Sequence, residues 1–266
     1  MGLLNRISAV ARENTLGPRR CRTPRASPAL LLALLGTLPL PAQPLLLPTA
    51  NRALFEPGGQ ERFYVGTAGK TWLSGTFGCV RTQGRQMHEG IDIRALERDR
   101  RGEPTDAVSA IADGVVAYVN AKASLSIYGI YVVLRHQRDG IEFYSWYAHL
   151  SEVRDGLAPG LPLRAGEVFA RLGRTANTVQ PISKDRAHLH LEVNLLVNDA
   201  FPTWHHQTSG GVRNDHGLWN GRNFLALDPS LILLSSHRFG TNFNLQRFVR
   251  NQPALCRVLV RVPDFP

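Results

Sequence analysis

The chain has 266 residues, of which 43% are hydrophobic, and its 31 Lys and Arg outnumber its 21 Asp and Glu. This length suits one sizeable domain with extensions, and no repeat at a fixed period indicates a solenoid or propeller. The net charge of +10 is partly local, because residues 1–42 carry six Arg against one Glu. Since no helix-turn-helix, zinc-finger or aromatic-basic motif is present, nucleic-acid binding is disfavoured.

The first segment of the chain has the organisation of a secretory signal. Residues 29–40 form an apolar run that follows a basic stretch and precedes small residues. The alternative is a membrane anchor, but the run is short against the roughly 20 residues that a spanning helix needs, and Gly36 and Pro39 weaken a helix. The favoured interpretation is a cleaved signal over residues 1–42. It implies export to the periplasm, cell envelope or medium, with no stable membrane span in the mature form.

Export would place the cysteines in an oxidising compartment. Cys21 falls within the signal, which leaves Cys79 and Cys256 as candidates for a disulfide. Because the sequence does not show whether their Cα atoms approach closely enough to be bridged, two separate thiols are the favoured alternative.

The predicted elements begin with a linker or loosely ordered arm over residues 43–61, which are rich in Pro, Leu, Gly and Asn. From residue 62 to 197, short β-like runs alternate with Gly, Asp and Pro, and no long stretch has a helical period. This pattern predicts a mainly β domain, an antiparallel sheet or β-sandwich with long loops and few short helices. Two hairpins are predicted, with turns at Asp113-Gly114 and at residues 138–140.

The remaining residues, 198–266, are predicted to form a C-terminal extension that packs on the core or is rich in loops. Residues 198–230 have little periodicity and are interpreted as one long loop. Residues 229–236 have the composition of a short helix or strand.

One candidate for chemistry lies in the predicted strand over residues 187–193. Side chains two residues apart on a strand point the same way, so His188, His190 and Glu192 share one face. The opposite face is wholly apolar and must pack on a core. Two imidazoles above a rigid apolar layer suit metal binding or acid–base catalysis. For this motif alone, a solvated face that carries two His is an equally good explanation.

A second motif contains His88 and Asp92, which are four residues apart. Gly90 disfavours a helix between them, and in an extended segment the even spacing puts both on one side. Zinc takes His nitrogen and Asp oxygen as ligands, and a catalytic site keeps a fourth position open for water. Two His and one carboxylate are therefore a complete ligand set for hydrolysis. Position 92 is Asp, so the helical His-Glu-x-x-His motif is not formed.

Together with His149, which follows Tyr147-Ala148, these motifs resemble those of the lysostaphin/LytM family of zinc metallopeptidases. That family cleaves peptide cross-links of bacterial peptidoglycan. Its pattern is His-x-x-x-Asp, then a His after Tyr-Ala, then His-x-His, and this chain has all three in the same order. The resemblance covers roughly residues 70–197. It departs at residues 184–187, where the family has Thr-Gly and Pro, and this bears on substrate preference more than on the metal site.

Carried over by position, the resemblance implies that His88, Asp92 and His190 bind Zn²⁺. It also implies that His149 and His188 are catalytic without binding the metal. One such His can take a proton from water and pass it to the leaving amine, while the other hydrogen-bonds the developing oxyanion. His188 is favoured as the base, although the sequence does not separate the two roles. Glu192 either orients a ligand or is a structural ion-pair partner or a solvated carboxylate, and these explanations are equally good.

The leading functional expectation is an exported zinc endopeptidase that hydrolyses the peptide cross-links of peptidoglycan. Two alternatives stay open: a non-enzymatic LytM-like activator of other cell-wall hydrolases, and a zinc peptidase that acts on exported proteins. A complete set of ligands and both further His argue against lost activity. The expected partner is a peptidoglycan peptide and not nucleic acid, and the oligomeric state is not predicted.

Overall fold

A computed structural model of the chain describes residues 43–178, 181–253, 259 and 261. The predicted signal and Cys256 lie outside the described residues, so the signal and the disulfide stay predictions. No helix within the described ranges is long and apolar enough to cross a membrane.

The fold is built around one nine-stranded antiparallel sheet, which confirms the mainly β prediction. A separate two-stranded ribbon, β1 with β2, precedes it. In the large sheet, β11, β10, β7, β6, β5 and β8 follow one another, β3 pairs with β10, and β9 joins β4 to β7. The strands are β1 (Val80–Arg81), β2 (Gln86–Met87), β3 (Ile91–Arg94), β4 (Ala107–Ser109), β5 (Gly114–Asn120), β6 (Ile130–Arg138), β7 (Ile141–Val153), β8 (Pro162–Leu163), β9 (Val168–Leu172), β10 (His188–Leu196) and β11 (Phe224–Leu227).

Four short α-helices accompany the sheet, as predicted for a domain with few helices. They are α1 (Gln60–Phe63), α2 (Phe201–Thr208), α3 (Pro229–Phe239) and α4 (Leu245–Arg250). The prediction of one long loop over residues 198–230 is wrong, because α2 and β11 lie in it. Helix α3 begins where Asp228 caps the backbone N–H groups of Ser230 and Leu231 and a proline occupies the first helical position.

One of the two predicted hairpins is confirmed. Strands β6 and β7 pair from Arg138 and Ile141 onwards. Asp139 and Gly140 between them have φ angles of 53° and 79°, as in the tight turns whose twist matches that of the strands. The predicted hairpin at Asp113-Gly114 is wrong, because β4 pairs with β9 while β5 pairs with β6 and β8. A turn signal shows where the chain reverses, but the pairing partner is set by long-range packing.

The apolar side of β10 lies in the main core, as its alternation predicts. Leu189, Leu191 and Val193 are fully buried and pack in one cluster with Ile91 and Ile93 of β3. A second cluster, rich in aromatic residues, packs in part under the C-terminal extension and contains Tyr131, Tyr144, Trp146 and Phe224. The sheet is therefore covered on both sides, and the polar face of β10 is itself buried.

The N-terminal arm, residues 43–61, is in close contact with the core. Leu45 is buried, and its N–H donates to Ser236 Oγ at 2.8 Å. The N–H of Leu46 donates to Ile111 O at 2.8 Å. The composition rich in Pro, Leu, Gly and Asn indicated a looser segment, but these hydrogen bonds and the buried leucine tie the arm to α3 and to the residues that follow β4. The limits of signal, arm, peptidase domain and extension stay predictions.

Candidate active site

Two antiparallel strands and the turn before them bring the metal-ligand candidates together. His190 on β10 lies directly opposite Asp92 on β3 in the register of the sheet. His88 precedes β3 by three residues and is turned towards the same point by Gly90. A Cβ on Gly90 would lie 2.5 Å from Leu191 O and 2.8 Å from His190 Cε1, so no side chain fits there.

The three predicted ligands present one donor atom each to a common point. His88 Nε2 lies 3.1 Å from Asp92 Oδ1 and 3.1 Å from His190 Nδ1. The distance from His190 Nδ1 to Asp92 Oδ1 is 3.0 Å. His88, Asp92 and His190 form the one group of potential metal ligands found among the described residues. These separations are close to the edge lengths of a tetrahedron with zinc bond lengths of about 2.0–2.2 Å.

Hydrogen bonds on the far side of each ring determine which nitrogen carries the proton. His88 Nδ1 faces Thr76 O at 2.8 Å, and His190 Nε2 faces Glu192 Oε1 at 2.8 Å. A carbonyl and a carboxylate only accept, so these two nitrogens donate. In the neutral rings, His88 Nε2 and His190 Nδ1 then carry lone pairs, and both point at Asp92 Oδ1. With both rings neutral, three acceptors would converge with no proton between them, which is the arrangement that a cation satisfies.

The site is strongly polar although it is buried. Burial would raise the pKa of Asp92, but the neighbouring His188, His190 and His88 lower it well below its usual value. Burial would lower the pKa of His190, but its hydrogen bonds with Asp92 and Glu192 raise it to about 9. In the absence of a cation, a proton on His190 therefore stabilises the two carboxylates, and zinc must displace it.

The second oxygen of Asp92 has its own partner. Arg81 on β1 donates to Asp92 Oδ2 at 2.8 Å and also to Ser74 O. With Oδ2 held in this way, Oδ1 is the oxygen that stays directed at the two imidazoles. Glu192 likewise orients His190, and its other oxygen accepts from Asn194 Nδ2 at 2.8 Å. Glu192 is buried, so it is not the solvated carboxylate considered as an alternative, and its hydrogen bond fixes the orientation of the candidate ligand His190.

The two predicted catalytic His lie beside the candidate ligands. His188 Nδ1 donates to Arg186 O at 2.7 Å, and His149 Nδ1 donates to Thr175 O at 2.8 Å. In the neutral rings each Nε2 therefore carries a lone pair, and the two ring centroids are 4.9 Å apart. His188 Nε2 is 3.4 Å from Asp92 Oδ1. Burial lowers the pKa of His188, and burial together with His188 and His190 lowers that of His149 to about 3.

A β-bulge aims His149 at the site. The register between β6 and β7 shifts between Ile130 and Val132, so two residues of β7, Ala148 and His149, oppose Tyr131. His149 has a φ angle of 60°, in the left-handed region that non-glycine residues seldom occupy. Without this irregularity the alternation of β7 would continue, and His149 would not point towards His188.

A polar cleft of about 170 Å³ opens over the candidate ligands. His88, His149 and His190 line its floor, whereas His188 is buried beside Asp92. Ile127, with 55% of its surface exposed, lines one part of the rim, and Met87, at 47%, lines another. The structure thus brings all five predicted residues together at the base of an accessible cleft.

Sequence reasoning missed two residues that contact this group. Arg81 binds Asp92, and Tyr128, which also lines the cleft, packs its ring against His190 with the ring centroids 5.6 Å apart. Neither has a distinctive spacing from the His motifs. The signal that could have found them is local: Tyr128 precedes Gly129, and Arg81 follows the Phe77-Gly78 turn, so both lie beside positions where the backbone turns sharply.

Comparison with known proteins relates this segment to a family. Residues 86–201 match the model of peptidase family M23. This segment is thus similar to peptidase family M23, which confirms the lysostaphin/LytM-type resemblance. The match covers less than half of the chain, and all five candidate site residues fall within it. No curated protein matches the chain.

Several solved structures are similar to the chain at low identity. A zinc-containing peptidase from Vibrio cholerae is 23% identical, with a TM-score of 0.33, over 49% of this chain and 35% of its own length. A protein from Ruminococcus gnavus described as a LytM glycyl-glycine endopeptidase is 22% identical, with a TM-score of 0.36. The likeness covers 57% of this chain and 47% of that protein.

The catalytic domain of lysostaphin from Staphylococcus simulans is 18% identical, with a TM-score of 0.39, over 70% of this chain and 98% of that domain. The chain thus spans well under two thirds of the first two proteins. At these identities and TM-scores, the likenesses carry no conclusion about substrate.

Proposed function

We propose that the protein is an exported zinc metalloendopeptidase that hydrolyses peptide cross-links of bacterial peptidoglycan in the periplasm or cell envelope. The observation that carries the proposal is the convergence of three acceptors. His88 Nε2, Asp92 Oδ1 and His190 Nδ1 lie 3.0–3.1 Å from one another at the base of a cleft. The match to a peptidase family model supports the reaction, and the resemblance of the three His motifs to those of the lysostaphin/LytM family supports the substrate class.

The donor set fits zinc better than a hard cation such as Mg²⁺ or Ca²⁺, because two of the three donors are imidazole nitrogens. Zinc held by these donors would supply Lewis acidity, which activates a water molecule and polarises the scissile carbonyl. Side chains of the protein would carry out proton transfer and stabilise the developing oxyanion. His149 and His188 are each fixed by a backbone carbonyl at Nδ1, so each offers Nε2 to the reacting atoms.

These two imidazoles can divide the proton work between them. His188 is the favoured base, because its Nε2 lies next to Asp92 and hence to the place where water would be activated. His149 lies on the cleft floor, where a protonated Nε2 can donate to the carbonyl oxygen as negative charge develops. Its pKa of about 3 keeps the ring neutral before reaction. Since the proton of the attacking water goes by way of His188 to the leaving amine, the proton on His149 Nε2 would come from solvent in the cleft and return there when the product leaves.

The proposal is tested first by metal analysis. Purified wild-type protein should contain about one zinc per chain, and Asp92→Ala and His190→Ala should lose it. His206→Ala is the matched control, since His206 is exposed and far from the ligands in sequence, and it should keep zinc. A zinc-free wild type would overturn the proposal.

Activity on purified peptidoglycan separates the alternatives. His188→Ala should keep zinc and lose about 10²–10⁴-fold in hydrolysis, the usual contribution of a positioned acid or base. Zinc binding without cleavage of peptidoglycan or of peptides would favour the non-enzymatic activator. Cleavage of protein substrates alone would favour a peptidase that acts on exported proteins.

A further inference from the structure

Tyr128 connects two parts of the active site that lie on different strands. Its ring packs against the imidazole of His190, with the two ring centroids 5.6 Å apart and the planes tilted by 44°. Its backbone carbonyl accepts the N–H of His149 at 2.8 Å. The backbone strain at His149 is therefore opposed partly by Tyr128, and a displacement of Tyr128 would disturb a candidate ligand and a candidate catalytic group at once.

The loop that carries Tyr128 is held from outside the family-matched residues. His216 Nε2 donates to Leu125 O at 3.1 Å, and His216 Nδ1 accepts from the hydroxyl of Tyr118 at 3.0 Å. Since Leu125 O only accepts, one tautomer of His216 satisfies both bonds. Tyr131 on β6 also donates its hydroxyl to Trp219 O at 3.1 Å. Residues 214–223, termed here the brace, thus bond to both sides of the Tyr128 loop.

Gly221 is the point where the brace meets Tyr128 itself. A Cβ at Gly221 would lie 3.1 Å from the Tyr128 hydroxyl oxygen and 3.3 Å from its Cε2. Gly221 is not in the left-handed region, so its backbone conformation is open to any residue. The glycine is therefore explained by the close approach of the tyrosine and not by a turn.

We propose that the brace is a positioning element of the active site, in which Gly221 and His216 set the place of Tyr128 and, through it, of His190 and His149. The brace lies beyond residues 86–201, so this chain completes its catalytic geometry with a part that the family-matched segment lacks. The inference rests on the proposed zinc peptidase for its metal readout only. The position of the His149 backbone can be measured without any metal.

The test is a double-mutant cycle between Gly221→Ala and Tyr128→Phe, with Arg222→Ala as the control because Arg222 is an exposed neighbour in the same turn. Gly221→Ala should weaken zinc binding towards the roughly tenfold loss seen when a partner of a metal ligand is disturbed. It should also shift the visible spectrum of the cobalt-loaded protein. In the Tyr128→Phe background, which lacks the crowded hydroxyl, Gly221→Ala should have little additional effect. Arg222→Ala should match wild type.

Amide hydrogen exchange supplies the metal-free readout. The N–H of His149 should exchange several-fold faster in Gly221→Ala and in His216→Ala than in wild type, while amides in the middle of β6 keep their protection. The inference would be overturned if Gly221→Ala weakened zinc binding equally with Tyr128 and with Phe at position 128. It would also be overturned if the His149 amide exchanged at the wild-type rate in both Gly221→Ala and His216→Ala. A zinc-free wild type with the predicted exchange would instead overturn the proposed function and leave the brace standing.

Discussion

Replacing Glu192 by Gln tests whether a buried carboxylate charge tunes the metal site. Glu192 accepts from His190 Nε2 and from Asn194 Nδ2, both at 2.8 Å. Gln keeps the shape and one acceptor oxygen, so His190 keeps its hydrogen bond. The new NH₂ group would face Asn194, whose Oδ1 is buried without a hydrogen-bond partner among the described residues. A flip of that amide can therefore accept the new donor, and the variant removes mainly the charge.

The expected change in zinc affinity follows from the hydrogen bonds that Gln at position 192 can still make. A hydrogen bond to a charged group contributes about 1.5–3 kcal/mol, against about 0.5–1.5 kcal/mol for a neutral one. The loss of roughly 1–1.5 kcal/mol corresponds to about a tenfold weaker binding of zinc. Glu192→Leu, which removes the acceptor altogether, should approach the hundredfold limit for a partner of a metal ligand. The expected order of zinc affinity is wild type, then Gln, then Leu.

The measurement is competition for zinc with a chromophoric chelator, on protein whose circular dichroism matches wild type. Glu152→Gln is the matched control, because Glu152 is 64% exposed in its ion pair with Arg171 and exposed ion pairs contribute little. That control should bind zinc as wild type does. Equal zinc affinity of wild type and the Gln and Leu variants at position 192 would refute the idea that this carboxylate supports His190.

Two further predictions concern stability. Burial lowers the pKa of His136 to about 4, below its unfolded value of 6.5. The contribution of the neutral, buried ring to the free energy of unfolding is therefore fully present above pH 6.5. It falls by about 1.4 kcal/mol per pH unit as the pH is lowered from 6.5 to 4, because the unfolded chain takes up the proton first. Urea unfolding of metal-free protein at several pH values should therefore show that the free energy of unfolding of His136→Gln falls less steeply on acidification than that of wild type. The same pH dependence in both proteins would contradict this. Leu45→Ala should cost about 2–5 kcal/mol because Leu45 is 3% exposed, whereas Leu46→Ala, at 40% exposed, should cost less than about 0.5 kcal/mol. Equally small losses of unfolding free energy in Leu45→Ala and Leu46→Ala would mean that the arm is not packed on the core.

The convergence of the candidate metal ligands could be predicted from local geometry together with the resemblance to the lysostaphin/LytM motifs. Strand alternation placed His188, His190 and Glu192 on one face, and the even spacing of His88 and Asp92 allowed both to reach one point. What the sequence could not supply is the register that puts His190 opposite Asp92. Register is a relation between strands distant in sequence, and it is decided by packing across the whole sheet.

The parts that could not be predicted are those in which distant segments meet. Arg81 binds Asp92 across an eleven-residue separation that includes the β1–β2 ribbon. The misassigned hairpin at Asp113 failed for the same reason, since its flanking strands pair with β9 and β6. In the long loop predicted over residues 198–230, the short helix and β11 were missed because each is too brief to show a period.

The placement of His149 shows why a peptidase motif alone does not make this active site. The residue is turned inward by a β-bulge and a φ of 60°, a conformation that costs of order 1–3 kcal/mol and persists only when neighbours hold it. Two of those neighbours are carbonyls, Thr175 O on its ring and Tyr128 O on its backbone N–H. The Tyr128 loop is in turn bonded by His216, so a segment cut at the end of the family match would keep the zinc donors while losing part of the support for the catalytic His. Under the proposed function, the brace would then support both the candidate metal ligand His190 and the candidate catalytic His149, through the ring and the backbone carbonyl of Tyr128. Zinc affinity reports the first contact and the exchange rate at His149 reports the second, so the two have to be measured separately.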